Sequence, residues 1–202
     1  FGQSAWANCT VNGVNYKTNG GSGTAITTAI IKNRASSWNN ATDLITTCDV
    51  SSITNMTDMF RGNGAINQNL SDWDTSSATD MRYMFSGASA LNSVSFPNTS
   101  AVTNMKRMFD GATSLTSVSL PETGAVLYMN SMFRDATSIA SVSLPETGAV
   151  TDMSYMFRGA TSLTSVSLPK TGSVSNMNSM FLNATALTSF SLQDTSSLMQ
   201  LD

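Results

Sequence analysis

The 202-residue chain is 41% hydrophobic and only 11% charged, with a formal net charge of −3 and no histidine. So little charge argues against nucleic acid as a partner, which needs a basic face to neutralise phosphates, and no apolar run is long enough to insert into and span a bilayer. Without imidazole there are no His-based triads or His metal sites. The composition implies no metal or cofactor, and a non-enzymatic protein is expected.

Residues 1–49 precede any repeat and read as a cap. Between Asn8 and Tyr16 the pattern is short and strand-like, broken by a turn signal at Asn12-Gly13. From Thr24 the character changes. Ala25, Ile26, Ala29, Ile30 and Ile31, then Ala35 and Trp38, suit one face of a helix with Thr24 as its N-cap. Both cysteines, Cys9 and Cys48, lie in this segment. An even pair outside a regular core reads as a disulfide rather than as two buried thiols, and closing that loop stabilises by roughly 4 kcal/mol in the chain-entropy model. A solenoid's first coil has an open apolar end that needs cover. Trp6 and Trp38 are assigned to that cover, with a sugar-stacking platform as their alternative role. The chain begins at Phe1 and shows no signal-peptide pattern, which reads as a processed chain or an excised piece.

Residues 50–195 are organised by one string, Met-x-x-Met-Phe. It stands at Met56/Met59/Phe60, Met81/Met84/Phe85, Met105/Met108/Phe109, Met129/Met132/Phe133, Met153/Met156/Phe157 and Met177/Met180/Phe181. The first step is 25 residues and the next four are 24 each, a period that signals a solenoid. In the coil from Ser100 to Thr123, Val102, Met105, Met108 and Phe109 fall at helical spacing and predict a short helix. Thr103 would cap its start, in a column with Thr54, Thr79, Thr151 and Ser175, with Leu127 in the fourth coil. About two residues after each Phe stands Gly62, Gly87, Gly111, Asp135, Gly159 or Asn183, residue types that tolerate the left-handed conformation of a helix C-cap. Then Leu115, Val118 and Leu120 alternate with Ser117 and Ser119 at strand periodicity, and Pro121 ends the strand. The methionines sit at core spacing, which favours gap-filling over a metal or redox role.

These residues carry a resemblance. Leu-x-x-Val-x-Leu, a turn, and then Val-Thr-Asn-Met-x-x-Met-Phe-x-Gly-Ala resembles the BspA-like leucine-rich-repeat family of bacterial surface proteins, and the stretch from Ile66 to Thr75 leading into Met81 is the nearest single match. The resemblance covers roughly Asp43 to the end. It implies an α/β leucine-rich-repeat solenoid of about six coils, each one short strand plus one short helix, stacked into a parallel sheet. It also implies a secreted or surface-displayed protein used for adhesion or partner binding, with no shared catalytic residues. The scarcity of Lys and Glu beside abundant Ser, Thr, Asn and Gly fits an extracellular, cell-surface or virion-surface location.

The candidate binding face comprises the outward strand positions, serine in five consecutive coils. One column is Ser93, Ser117, Ser141, Ser165 and Ser189; the other is Ser95, Ser119, Ser143, Ser167 and Ser191. At a strand spacing of about 4.8 Å these form two hydroxyl ladders. They read either as a solvated surface kept polar against aggregation, as a face for a protein or glycan ligand, or as an ice-binding lattice. Glu122 and Glu146 fall in one column, followed by Lys170, and read as exposed turn positions or as a seat for a cation. Asp72, Asp74 and Asp80 around Trp73 read as turn caps rather than a Ca²⁺ loop, since the EF-hand pattern is absent. Residues 196–202 begin a seventh coil, with Leu198 in the Val174 column and Leu201 in the Met177 column. Together with Phe190 and Leu192 they form a candidate assembly edge, through which copies of the chain would build a fibre, surface layer or virion.

Overall fold

The computed structural model describes residues 9–11, 14–18, 23–33, 43–168, 170–193 and 197. The expectations for Trp6, Asn12-Gly13, Ala35, Trp38, Pro169, Leu198 and Leu201 lie outside the described residues.

The cap opens with β1 (Cys9–Val11) and β2 (Val14–Tyr16), an antiparallel pair with Cys9 opposite Tyr16. Bridges from Thr10 to Leu44 and from Thr18 to Cys48 tie this pair to the segment entering the first coil. Cys9 and Cys48 are disulfide-bonded, with Cα atoms 4.7 Å apart. The helix α1 (Thr28–Lys32) is shorter than the pattern predicts and starts at a different threonine: the Thr27 hydroxyl accepts from Ile30 N–H, whereas the Thr24 carbonyl accepts from Lys17 N–H at 2.8 Å. Thr24 thus lies in the segment that joins the hairpin, three residues before the cap. The helix sits against coil one, where the Thr28 hydroxyl donates to the Asn55 carbonyl at 2.5 Å and Lys32 reaches Asp58 at 3.4 Å.

The repeats form a solenoid, but not one of alternating strand and helix. Coils two to six each have one short strand, from β3 (Ser93–Ser95), β4 (Ser117–Ser119) and β5 (Ser141–Ser143) to β6 (Ser165–Leu168) and β7 (Ser189–Leu192), and the described residues of coil one form none. The strands pair in parallel as β3-β4 and β5-β6-β7. Where helices are expected, none forms; among the described residues α1 is the sole helix. The reason lies in the backbone. The third position of each Met-x-x-Met-Phe string has positive φ, at Asp58 (57°), Tyr83 (57°), Arg107 (53°), Ser131 (58°), Tyr155 (57°) and Ser179 (51°). The Gly62, Gly87, Gly111, Asp135, Gly159 and Asn183 column is also left-handed, at 54° to 74°. An α-helix requires φ near −63° throughout, so two left-handed residues per segment exclude it.

A stack of turns replaces the helix. In coil three the amides of Met105, Arg107, Phe109 and Gly111 donate across to the carbonyls of Tyr128, Asn130, Met132 and Arg134 in coil four, at 2.8 to 3.1 Å. The intervening amides of Met108, Asp110 and Ala112 donate back three residues and close local turns. Alternate amides thus bond between coils and within them. Side chains spaced i, i+3 and i+4 still face inward, which is why the string mimics a helix. The threonine column expected to cap helices has another role: the hydroxyls of Thr79, Thr103, Thr151 and Ser175 donate to the preceding coil's carbonyl at 3.2 to 3.3 Å.

Inside, like residues stack on like. The rings of Phe60, Phe85, Phe109, Phe133, Phe157 and Phe181 form a column with centroids 5.3 to 5.7 Å apart and planes within 13° of parallel. Trp73 fills the coil-one end of the core, fully buried, and its indole N–H donates to the Ile45 carbonyl at 2.7 Å. Thr75, Thr99, Thr123, Thr147 and Thr171 are buried in a second column. Each hydroxyl donates to a carbonyl of the next coil, on Asn98, Glu122, Glu146, Lys170 and Gln193 respectively. A buried hydroxyl without such a partner would be costly, so this column fixes the register between coils.

Candidate functional site

The strands bring the serine columns together as pairs in register. Ser93 lies opposite Ser117 and Ser95 opposite Ser119; further along, Ser141, Ser165 and Ser189 align, as do Ser143, Ser167 and Ser191. All are exposed except the half-buried Ser165. The ladders are not continuous, however: β4 and β5 are neighbours without a hydrogen-bonded ladder between them. The break has a local cause. Thr116, Thr164 and Thr188, just before their strands, send hydroxyls to carbonyls of the preceding coil, at 2.9 to 3.1 Å. Coil four has Ala140 at this position and lacks that donor. Val118, beside the gap, is half-buried where Val94, Val142 and Val166 are buried. The serine face is thus two plates, of two and of three strands. The three-stranded plate bounds a shallow concavity of about 340 Å³, lined by Ser141, Ser143, Ser165, Ser167, Ser189 and Ser191 with Val142, Val166 and Phe190.

At the far end of the stack Phe190 is 60% exposed and Leu192 half-buried. The Phe190 ring lies 5.4 Å from Phe181, tilted by 37° out of the parallel column.

The charged columns settle into ion pairs and turns. Glu146 is paired with Lys170 at 2.6 Å, so the carboxylate expected to share a cation with Glu122 has a fixed cationic partner. The Ser76 hydroxyl, and then its N–H at 3.1 Å, hold the Asp74 carboxyl below the ordinary range, and Asp80 accepts from Arg82 N–H at 3.1 Å. Among the described residues no group of three or more His, Cys, Asp or Glu side chains is placed to hold a metal ion. No helix among them is long and apolar enough to cross a membrane.

A second surface lies on the turn stack. This is a ridge on which Arg61, Tyr83, Arg107, Asp110 and Arg134 are linked by ring contacts and ion pairs, and Arg82, Arg158, Tyr128 and Tyr155 lie in the same turn segments. Tyr83 lies between two guanidinium groups, Arg61 at 4.9 Å and Arg107 at 5.9 Å from its ring centre. Asp110 is enclosed in the same ridge. Burial raises its pKa, and the nearby Arg134 and Arg107 oppose that shift. The signal was present in the sequence, since each of these arginines falls within seven residues of the first methionine of its string.

A family profile described as "Mycoplasma protein of unknown function, DUF285" matches residues 28–143 and 117–200. The chain belongs to this family. No curated protein matches it. A leucine-rich cell-surface protein from Faecalibacterium prausnitzii is similar, at 21% identity over 59% of this chain and 30% of that one, with a TM-score of 0.48. A leucine-rich-repeat protein from Bacteroides ovatus matches at 25% identity over 52% of this chain and 26% of that one, with a TM-score of 0.41. This family member therefore spans less than a third of either bacterial protein. Neither match singles out the BspA-like family.

The exclusion of nucleic acid is corrected. A TLR13 structure determined in complex with single-stranded RNA also matches, at 15% identity over 84% of this chain and 27% of that one, with a TM-score of 0.39. Net charge is an average over the whole chain, whereas phosphate contact requires only a local cluster of cations.

Proposed function

We propose that this chain is a non-enzymatic recognition module of an extracellular surface protein, and that it engages a protein ligand through the serine-lined plate of β5, β6 and β7. The observation that carries this reading is the shallow concavity bounded by six in-register serines, with Val142, Val166 and Phe190 contributing to its lining. Small hydroxyl side chains leave the sheet accessible, while the apolar contribution gives a ligand something to bury. The Cys9–Cys48 disulfide supports an oxidising compartment. The test is binding of the fluorescent-labelled protein to arrays of extracellular proteins, glycans and single-stranded RNA, repeated with S141R/S165R/S189R. Binding to a protein probe that disappears in the triple variant supports the proposal; binding that survives it rejects the serine plate as the site.

A second reading is favoured by the exposure of Phe190 and of Leu182, 46% exposed, at the last coil. Here copies of the chain, or other subunits of a fibre or surface layer, dock on that edge. Light scattering after size-exclusion chromatography tests it. The reading expects concentration-dependent association that F190S abolishes, and a clean monomer at high concentration counts against it.

A further inference from the structure

Coil four departs from its neighbours at one place. Before the first methionine the other coils carry Thr54-Asn55, Thr79-Asp80, Thr103-Asn104, Thr151-Asp152 and Ser175-Asn176, whereas coil four carries Leu127-Tyr128. The polar pair has structural work. The side-chain oxygens of Asn55, Asp80, Asn104, Asp152 and Asn176 accept from the amide two residues on, at 2.9 to 3.1 Å. The preceding hydroxyls of Thr79, Thr103, Thr151 and Ser175 bond the coil before. Leu127 and Tyr128 can make neither bond.

The backbone does not require the exchange. Leu127 N–H still donates to the Thr103 carbonyl at 2.9 Å, and the Tyr128 carbonyl still accepts from Met105 N–H at 3.0 Å. Nor does the core, since Leu127 is 40% and Tyr128 46% exposed. On the adjacent coil, where Asp152 bridges Tyr128, Tyr155 follows three residues on; it is 37% exposed, with the Arg158 guanidinium 5.9 Å from its ring centre. Arg61, Arg82, Arg107 and Arg134 each have a carboxylate within 4.0 Å; Arg158 has none among the described residues. Stabilising local bonds have been given up, at the middle of the array, for an exposed leucine and tyrosine one coil away from an arginine that has no carboxylate partner among the described residues. Local rules are broken in this way at functional positions, and Tyr and Arg are the residue types that dominate binding hot spots.

We propose that Leu127, Tyr128, Tyr155 and Arg158 form a docking site for an extended segment of a protein partner that carries an acidic side chain beside an aliphatic or aromatic one. Charge complementarity to Arg158 sets the acidic requirement. The exposed leucine selects a protein side chain over a sugar, whose apolar faces stack on flat aromatic rings. The site belongs to the turn ridge and stands independently of the serine plate.

The test is selection of a phage-displayed random-peptide library against the folded protein. Enriched peptides should share Asp or Glu within a few positions of Leu, Phe, Tyr or Trp. Their affinity should fall by roughly tenfold or more in Y128N and in R158S and be unchanged in S141R/S165R/S189R. The L127T/Y128N variant, which restores the neighbours' polar pair, should melt no lower than the parent. The proposal is overturned if no such peptides are enriched, or if they bind Y128N and R158S as well as the parent. It is also overturned if L127T/Y128N melts several degrees lower, which would make the pair structural, or if a glycan array shows Tyr128-dependent binding where peptides show none.

Discussion

Replacing Ser131 with glycine separates a stack of turns from a helix by the sign of its effect. Ser131 occupies the left-handed region at φ 58°, in the middle of the segment whose side-chain spacing imitates a helix. An L-residue held there costs about 1–2 kcal/mol, and Ser131→Gly removes that cost. Against it stands the greater unfolded-state freedom of glycine, about 0.5–1 kcal/mol. The side chain is only 3% exposed but small, so little packing is lost. The net gain is about 0.5–1 kcal/mol, or a rise in Tm of roughly 1–4 °C for a chain of this size. In a helix interior the same exchange costs about 0.5 kcal/mol. Gly111→Ala is the companion variant. At φ 72° its new Cβ would have Gly87 atoms at 3.8 Å as nearest neighbours, so backbone strain less the unfolded-state freedom that glycine gives up decides, and Tm should fall by about 1–4 °C. Differential scanning calorimetry reads both. A lowered Tm for Ser131→Gly would refute the reasoning.

Other expectations concern the internal columns, the sheet and the cap. Phe133→Ala removes a fully buried ring stacked on Phe109 and Phe157, both with centroids at 5.5 Å, and should cost about 3–5 kcal/mol by urea unfolding; a loss under 1 kcal/mol would deny the column. Thr123→Val keeps the shape but orphans the buried Glu146 carbonyl, costing about 1–3 kcal/mol, whereas Thr123→Ser should retain most of the stability. Ala140→Thr should supply the missing donor between β4 and β5, raising stability by about 0.5–1.5 kcal/mol; no change in the unfolding midpoint would mean the gap has another cause. The Lys17 ammonium, with the Ser51 hydroxyl and amide, holds the Asp49 carboxyl below its ordinary value. Its contribution is therefore complete above the unfolded value of about 3.9 and lost as pH falls through the lower folded value. Lys17→Met should flatten that part of the acid-unfolding curve, and an unchanged curve would show that the pair contributes nothing.

The spacing of Met, Phe, Leu and Val sufficed to place the inward residues, because a core stacked at 24-residue intervals repeats its chemistry at those intervals. Spacing alone did not distinguish a helix from consecutive turns, since both bring i, i+3 and i+4 to one side. The discriminating signal was the third position of each string, where Asp58, Tyr83, Arg107, Ser131, Tyr155 and Ser179 show no consistent side-chain type, because it is the backbone that is constrained there. The buried threonines were legible in principle, as Thr75, Thr99, Thr123, Thr147 and Thr171 recur at 24-residue steps. Threonine also suits exposed turns, so their recurrence alone does not mark them as buried. The serine columns were visible for the opposite reason, their monotony. The gap at Ala140 and the exposed Leu127-Tyr128 pair are single-residue departures that acquire meaning only once the hydrogen bonds of the other coils are known.

Amide hydrogen exchange, resolved by residue with NMR, tests the turn-to-turn ladder that displays both surfaces. Met105, Met129 and Met153 would lie in the first turn of each expected helix, where amides lack intrahelical partners. In the stack they donate to Tyr128, Asp152 and Asn176 at 2.9 to 3.2 Å. Protection of these three amides comparable to that of Phe109 and Phe133 is the predicted result, and fast exchange at all three would contradict it.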